Sequence, residues 1–113
     1  MESEKLAVVW SSGDPEVAHK ACFMYTHAAQ RNRWFQEITL VIWGPSAALL
    51  ARDESLQQRI REMIDAGVTI EACKACSDSY GVSDTLSGLG IDVKYMGRPL
   101  TEMLKAGRRI LCF

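Results

Sequence analysis

The sequence predicts an α/β fold, with a single doubly wound domain built on a five-stranded parallel sheet. Five short apolar runs alternate with four helical patterns, which is the order expected of repeated βαβ units. The runs lack strict alternation with polar residues, as is typical of parallel strands buried on both faces. No linker, internal repeat or low-complexity tract interrupts them, and a chain of 113 residues suits one domain. We therefore expect residues 1–113 to form one domain.

The predicted strands are apolar runs that end at turn residues or at a pair of cysteines. The first two stop at Ser11-Ser12-Gly13 and Gly44-Pro45-Ser46, which are rich in turn-forming residues. The third stops at a pair of cysteines, Cys73 and Cys76. In order, the five runs cover residues 5–10, 37–43, 68–72, 91–95 and 109–113.

The first two predicted helices have clear start or end signals. Asp14 is a good N-cap, and Pro15 suits the first helical position after it. The second helix is predicted to end at Gly67, because glycine commonly closes helices. Residues 46–52 form either an extra turn before the second helix or its continuous start.

The last two predicted helices follow the third and fourth strands. One begins at about Cys76 or Ser77 and ends at Ser87, and the other begins at Pro99 and ends at Gly107. Three apolar side chains of the final helix are expected to face inward: Leu100, Met103 and Leu104.

Composition and charge exclude several function classes. The 13 basic and 14 acidic residues are spread along the chain, which leaves no basic stripe for a nucleic-acid backbone. The apolar run at residues 6–10 is too short for a signal peptide or a membrane span. We therefore expect a soluble, cytoplasmic protein with no nucleic-acid or membrane partner. In that compartment the four cysteines are expected to be thiols.

The strongest candidate site is Cys73-Lys74-Ala75-Cys76, which follows the third strand and leads into a helix. Open parallel sheets bind ligands beyond the carboxyl ends of their strands, and only this strand end carries a strong nucleophile. Unpaired amides at a helix start and the charge of Lys74 favour thiolate, so the thiol pKa is expected below its free value of about 8.5. Cys73, Cys76 and Lys74 are the predicted catalytic residues, and the spacing lets one sulfur resolve a disulfide or persulfide on the other.

The other cysteines and the histidines are interpreted as structural. Cys22, on the first helix, and Cys112, in the last strand, are expected to be small buried hydrophobes. His19 and His27 both belong to the first helix and are assigned no catalytic role. A structural zinc site usually draws its four ligands from two close pairs. The remaining candidates form no matching second pair, so no metal is expected: His19, Cys22, His27 and Cys112.

Two familiar motifs do not fit the sequence. A thioredoxin-like cysteine pair normally follows the first strand of its unit, whereas this pair follows the third. A receiver domain needs acidic residues after the first strand and an aspartate after the third, where this chain has Ser11 and Cys73. Neither class is therefore favoured.

A weaker candidate site lies at the remaining strand ends. Ser11-Ser12-Gly13 precedes a helix and can hold a phosphate through its backbone amides, although any βα turn in this fold class looks similar. Gly44 ends the second strand, and the guanidinium of Arg98 follows the fourth, where it suits an anion. The predicted ligand-binding residues are Ser11, Ser12, Gly13, Gly44 and Arg98.

An ordered set of features extends over nearly the whole chain. An alanine-rich first helix leads to Val41-Ile42-Trp43-Gly44, and Cys73 is followed eight residues later by Gly81. After these come Leu89-Gly90-Ile91-Asp92-Val93, a helix over residues 100–104, Gly107 and a last strand that ends in Phe113. In this order and spacing the chain resembles the DsrE/DsrF-like family, which includes the TusD-type sulfur carriers.

The resemblance implies a flavodoxin-like three-layer sandwich that passes sulfane sulfur as a cysteine persulfide. It implies either a sulfurtransferase or a sulfur carrier without a cofactor, with sulfur donor and acceptor proteins as partners and a trimeric or hexameric assembly. It matches Cys73 to the sulfur-accepting cysteine, while the helix-start argument favours Cys76 equally. The alternatives are an oligomeric ligand-binding or regulatory module of the same fold, and a dithiol redox protein with a reversible Cys73–Cys76 disulfide.

Overall fold

The structure, a computed structural model, describes residues 4–113, so residues 1–3 of the predicted domain lie outside the described part. Five parallel strands form one sheet in the order β4-β3-β2-β1-β5. The strands are β1 (Lys5–Trp10), β2 (Glu37–Ile42), β3 (Thr69–Cys73), β4 (Asp92–Lys94) and β5 (Arg109–Cys112). The predicted five-stranded parallel α/β sandwich is confirmed, and each strand lies within one residue of its predicted bounds.

Seven α-helices and one π-helical segment connect the strands of the described chain. The π-helical segment joins the first two helices without a break. The elements are α1 (Pro15–Val17), the π-helical segment (Ala18–Cys22), α2 (Phe23–Arg31), α3 (Pro45–Arg52), α4 (Glu54–Ala66), α5 (Lys74–Ser79), α6 (Ser83–Gly88) and α7 (Gly97–Lys105).

The predicted caps at Asp14 and Gly67 are confirmed, Pro45–Arg52 forms a separate helix before the second predicted one, and the third predicted helix is split in two. The carboxylate of Asp14 accepts a hydrogen bond from the Glu16 amide at 2.9 Å, and Gly67 closes α4 at a φ of +106°. Asp53 leaves the helical conformation and caps α4 through the Leu56 amide, which separates α3 from α4. Gly81, at a φ of +70°, separates α5 from α6. At that φ a Cβ is strained, which suits glycine.

One side of the sheet, here called the major face, carries most of the core. Along β1, Leu6, Val8 and Trp10 point to this side, as alternate residues of a strand must. Helices α2, α3, α4 and α6 cover it. The Trp10 and Phe23 rings meet edge to face with centroids 4.8 Å apart. Right-handed crossovers between β1, β2, β3 and β4 place these helices on the same side.

The opposite side, the minor face, has a much smaller buried cluster, made of Val9, Val41, Cys73 and Met96. Of the described helices, only α7, in the connection from β4 back to β5, lies on this side, and none of its residues is buried. Leu104 is 58% exposed, so the expectation that it faces the core is wrong. The helix is too lightly packed to bury that position.

Cys22 and Cys112 have opposite environments. Cys22 is fully buried on the major face, as expected, and burial raises the pKa of its thiol to about 12. Cys112 is exposed, so the expectation that it is buried is wrong. The reason is its place on β5, an edge strand that borders the thinly covered minor face.

Within residues 4–113, none of the helices has the length and apolar character to cross a bilayer.

Candidate functional site

The two site cysteines lie at the carboxyl end of β3, where the chain turns into α5. Cys73 is the last residue of β3 and the N-cap of α5, and Cys76 is the third residue of that helix. Side chains at the N-cap and third helical positions lie next to each other, which is the geometry that capping boxes use. The Cys73 and Cys76 side chains accordingly lie close together, and both thiols are free.

The two thiols differ in their access to solvent. Cys73 is only 5% exposed and belongs to the minor-face cluster with Val41 and Met96. Cys76 is half-buried, and like Trp43 it packs against the same cluster. An incoming reactant therefore meets Cys76 first, with Cys73 behind it.

The pKa of Cys76 is raised above its ordinary value, mainly because burial disfavours the thiolate. The neighbouring Cys73 thiol raises the pKa further, whereas the backbone N–H of Gly44 favours the thiolate and opposes the shift. The expectation of a lowered pKa is wrong for Cys76. Helix α5 has only six residues, and its start is partly buried on the sheet, so burial outweighs the helix-start effect.

The ammonium group of Lys74 is engaged in an ion pair with Asp78. Its Nζ lies 2.7 Å from the Asp78 Oδ2 and 5.6 Å from the centroid of the Tyr95 ring. The Ser83 hydroxyl donates to the other Asp78 oxygen and also contacts the buried Ser77 hydroxyl. Lys74 has no resolved influence on the pKa of Cys76, so the structure gives no support to its assumed role in activating the thiol.

The Ser11-Ser12-Gly13 turn is already occupied by the end of β5. The amides of Ser11 and Ser12 both donate to the Phe113 carbonyl, at 2.8 and 3.3 Å, and the Ser11 hydroxyl bonds to the same oxygen at 3.1 Å. The Ser12 hydroxyl accepts from the Asp14 amide. Next to it, the space at Gly13 is bounded by Pro45. These two serine amides are thus unavailable to a phosphate, so the structure gives no support to a phosphate site at this turn.

Gly44 lies beside Cys76 in the site, whereas Arg98 is an exposed residue of α7. The left-handed conformation of Gly44, with a φ of +71°, turns the chain from β2 into α3. The buried Ser46 hydroxyl holds this turn by donating to the Trp10 carbonyl at 2.5 Å and accepting from the Trp43 amide at 3.2 Å. Arg98 is exposed in the first turn of α7, and among the described residues no hydrogen bond or ion pair to its side chain is found.

Three site residues were missed by the sequence reasoning: Trp43, Tyr95 and Met96. Trp43 and Met96 pack around the cysteines, and Tyr95, 66% exposed, lies beneath Lys74. All three directly follow the strands on either side of β3. The strand-end rule that found the cysteines applies equally to these positions, but apolar side chains gave no chemical signal.

A second polar cluster lies away from the cysteines, at a surface groove of about 500 Å³. His19 Nε2 lies 3.1 Å from the Ser55 hydroxyl, and Arg59 donates to His19 Nδ1 at 3.2 Å and to its carbonyl at 2.9 Å. The Ser55 hydroxyl donates to Asp53, the α4 cap, at 2.6 Å. His19 thus ties the π-helical segment to α4, which supports its interpretation as structural.

Both the sequence and the fold of this chain are similar to those of known proteins. Residues 4–113 match the model of the DsrE/DsrF-like family. The solved structure of the conserved protein of unknown function BT1422 from Bacteroides thetaiotaomicron is 38% identical, with a TM-score of 0.94 over 97% of this chain and 95% of that one. The ychN protein from E. coli has the same fold at 14% identity, with a TM-score of 0.74 over 99% and 100% of the two chains. No curated protein shows significant sequence similarity.

Proposed function

Because this chain belongs to the DsrE/DsrF-like family, we propose that it takes sulfane sulfur from a donor and passes it, as a cysteine persulfide, to a partner protein. The observation that carries the proposal is the pair of adjacent free thiols at the carboxyl end of β3, one half-buried and one buried. The reducing cytoplasm, where we place the protein, keeps such thiols available for this chemistry.

Uptake begins at Cys76, since it is the more accessible thiol. Its thiolate attacks the outer sulfur of a donor persulfide, the donor's S–S bond breaks, and the donor leaves as a thiolate. The Gly44 amide favours the attacking thiolate, and burial opposes it. A thiolate with a raised pKa is scarcer at neutral pH but more nucleophilic once formed. Uptake is therefore expected to accelerate as the pH rises.

Delivery is the same exchange in the other direction. A thiolate of the acceptor protein attacks the outer sulfur of the Cys76 persulfide, and Cys76 leaves as a thiolate that takes up a proton. The raised pKa of Cys76 makes it a poor leaving group, so an acceptor has to stabilise the departing thiolate or supply a proton. This requirement favours protein acceptors over free small thiols.

Self-association is part of the proposal, and the minor face is the surface that supports it. Helix α7 buries none of its own residues, and the side chains of Leu104 on this helix and Cys112 on β5 remain exposed. A second copy of the chain would cover these side chains and add to the covering that α7 alone gives the minor face. The trimer or hexamer implied by the family resemblance is the assembly we expect.

The uptake step can be tested by intact-mass analysis after exposure to glutathione persulfide. The protein would carry Cys112→Ser to remove the exposed thiol, and Cys73→Ser and Cys76→Ser would be compared in that background. A gain of one sulfur that a reductant removes, and that Cys76→Ser abolishes, is the expected result. If no form gains sulfur although its thiols titrate, the sulfur-relay proposal is wrong, and the ligand-binding module becomes the better hypothesis.

A further inference from the structure

The cysteine pair has a geometry that a carrier with one acceptor cysteine does not need. Cys73 lies directly behind Cys76, at the N-cap of the helix whose third residue is Cys76. It is 5% exposed, so a bulky donor cannot reach it while Cys76 and Trp43 cover the cluster. A second thiol in this position is shielded from outside reactants but lies close to the sulfur that receives the cargo.

We propose that Cys73 is a resolving thiol that discharges a persulfide on Cys76 as hydrosulfide, closing a Cys73–Cys76 disulfide. The inference rests on the proposed function, because it needs a persulfide on Cys76 as its starting point. It gives the site a second outcome: transfer when an acceptor is docked, and release of sulfide when none is.

The step balances in atoms and electrons. The Cys73 sulfur, as thiolate, attacks the Cys76 Sγ, a Cys73–Cys76 S–S bond forms, and the bond from Cys76 to the outer sulfur breaks. The outer sulfur leaves with the electron pair as hydrosulfide and is reduced, while the Cys73 sulfur is oxidised to the disulfide level. The Cys76 sulfur, already bonded to another sulfur, keeps its oxidation state. A small thiol or a dithiol protein then reduces the disulfide and returns both cysteines to the starting state.

The position of the attack decides the outcome. If Cys73 attacks the outer sulfur instead, the cargo moves from Cys76 to Cys73 and nothing is lost. Attack at the Cys76 Sγ expels hydrosulfide, a weaker base than a cysteine thiolate and so a better leaving group. Because the Cys73 thiol approaches from the buried side, the sulfur it meets first is the Cys76 Sγ, and the outer sulfur lies on the side open to solvent.

The other cysteines of the chain do not compete for this role. Cys22 is fully buried on the major face, on the other side of the sheet, and burial holds its pKa at about 12. Cys112 is on edge strand β5, and β1 and β2 separate that strand from β3. Only Cys73 is placed to reach a persulfide on Cys76 within one chain.

The test is a single-turnover experiment on the Cys112→Ser protein and its Cys73→Ala and Cys73→Ser variants. Each is loaded with one equivalent of glutathione persulfide, freed of excess donor, and followed without reductant. Released sulfide and intact mass are measured over time. The parent is expected to lose the added sulfur and two hydrogens together, releasing sulfide at least about tenfold faster than either variant, because the attack is intramolecular. Both variants should keep the added sulfur on Cys76.

The outcomes separate the two proposals. If the variants load and the parent keeps its persulfide as long as they do, the resolving role of Cys73 is overturned and the relay stands. If the parent gains a disulfide and releases sulfide while the variants stay loaded, the resolving role is supported. If no form takes up sulfur, the relay fails and the inference fails with it. Using both alanine and serine at position 73 guards against a folding defect of one variant.

Discussion

The major and minor faces of the sheet differ sharply in how much they bury. The major face packs strands and four helices into one continuous core that includes Trp10, Phe23 and Ile60. Among the described residues, the hydrophobic cluster of the minor face has only four buried members, and the helix that covers it has no buried residue of its own. Burial of apolar surface is the main source of folding free energy, so most of the stability comes from the major face.

The cysteines lie where the thinner layer begins. Cys73 is part of the minor-face cluster, and Cys76 packs on its edge. A reactive group needs access, and loosely covered regions open at lower free-energy cost than a dense core. The comparison teaches that the fold places its stability on one side of the sheet and its chemistry on the margin of the other.

The largest effect is expected from Phe23→Ala on the major face. The change removes a fully buried ring that packs against Trp10 and lies under the Arg59 guanidinium. Such truncations cost about 3–5 kcal/mol of unfolding free energy, which urea denaturation would measure. The control is Met24→Ala, one residue on and exposed, with an expected change within about 0.5 kcal/mol. If Phe23→Ala lost as little unfolding free energy as Met24→Ala, the major face would not be the main source of stability.

A smaller loss is expected from Met96→Ala on the minor face. Met96 is fully buried, but the lightly packed α7 can move to fill the space, so the cost should lie near the lower end for such changes, about 2 kcal/mol. Alkylation of Cys73, which shares its cluster, should also become faster. Tyr95→Ala, at a neighbouring exposed position, is the control. A cost equal to that of Phe23→Ala would mean that the two faces are equally well packed.

Leu104→Asp should leave the chain's own stability within about 0.5 kcal/mol, because the side chain is exposed. If a second copy covers the minor face, the buried charge will break the assembly, and sedimentation will show a shift toward the monomer. Gln58→Asp, with the same charge change on exposed α4, should leave the assembly intact. Unchanged sedimentation of the Leu104 variant would place the interface elsewhere.

The smallest effect is expected from Lys74→Met on the alkylation of Cys76. In the Cys112→Ser background, the rate should rise with pH and reach its midpoint above the value for a free thiol, because burial raises the pKa of Cys76. Lys74 is paired with Asp78, so its loss should change the rate by less than about twofold. A severalfold fall on removing Lys74 would restore its predicted role in activating the thiol.

The sequence was sufficient for the architecture because its signals are local. Asp14 and Gly67 mark helix ends through their own backbone and side-chain preferences, and the apolar runs mark the strands. The break at Asp53 was left open, since the apolar pattern continues across it, and the break at Gly81 was missed, since it lies inside a predicted helix. Local patterns do not show which of two competing helix signals prevails.

The site was predictable in position and less so in its electrostatics. The strand-end rule found Cys73 and Cys76 together, but their pKa depends on burial and on the Gly44 amide, which lies far away in sequence. The same limit applies to the Ser11 and Ser12 amides, which Phe113 occupies from the other end of the described chain. Exposure of Leu104 and Cys112 depends on how little covers the minor face, and no local pattern reports that.

The pairing of β5 with β1 has a consequence for synthesis of the chain. Strand β1 has β2 on one side and β5 on the other, and the Phe113 N–H extends that pairing by donating a hydrogen bond to the Val9 carbonyl at 2.8 Å. Strands β1 to β4 emerge from the ribosome first, and until residues 109–113 follow, β1 is an apolar strand with one unpaired edge. Such edges invite pairing with other chains. A stalled or nicked chain that lacks this short segment is therefore the form most prone to aggregate and to need chaperones.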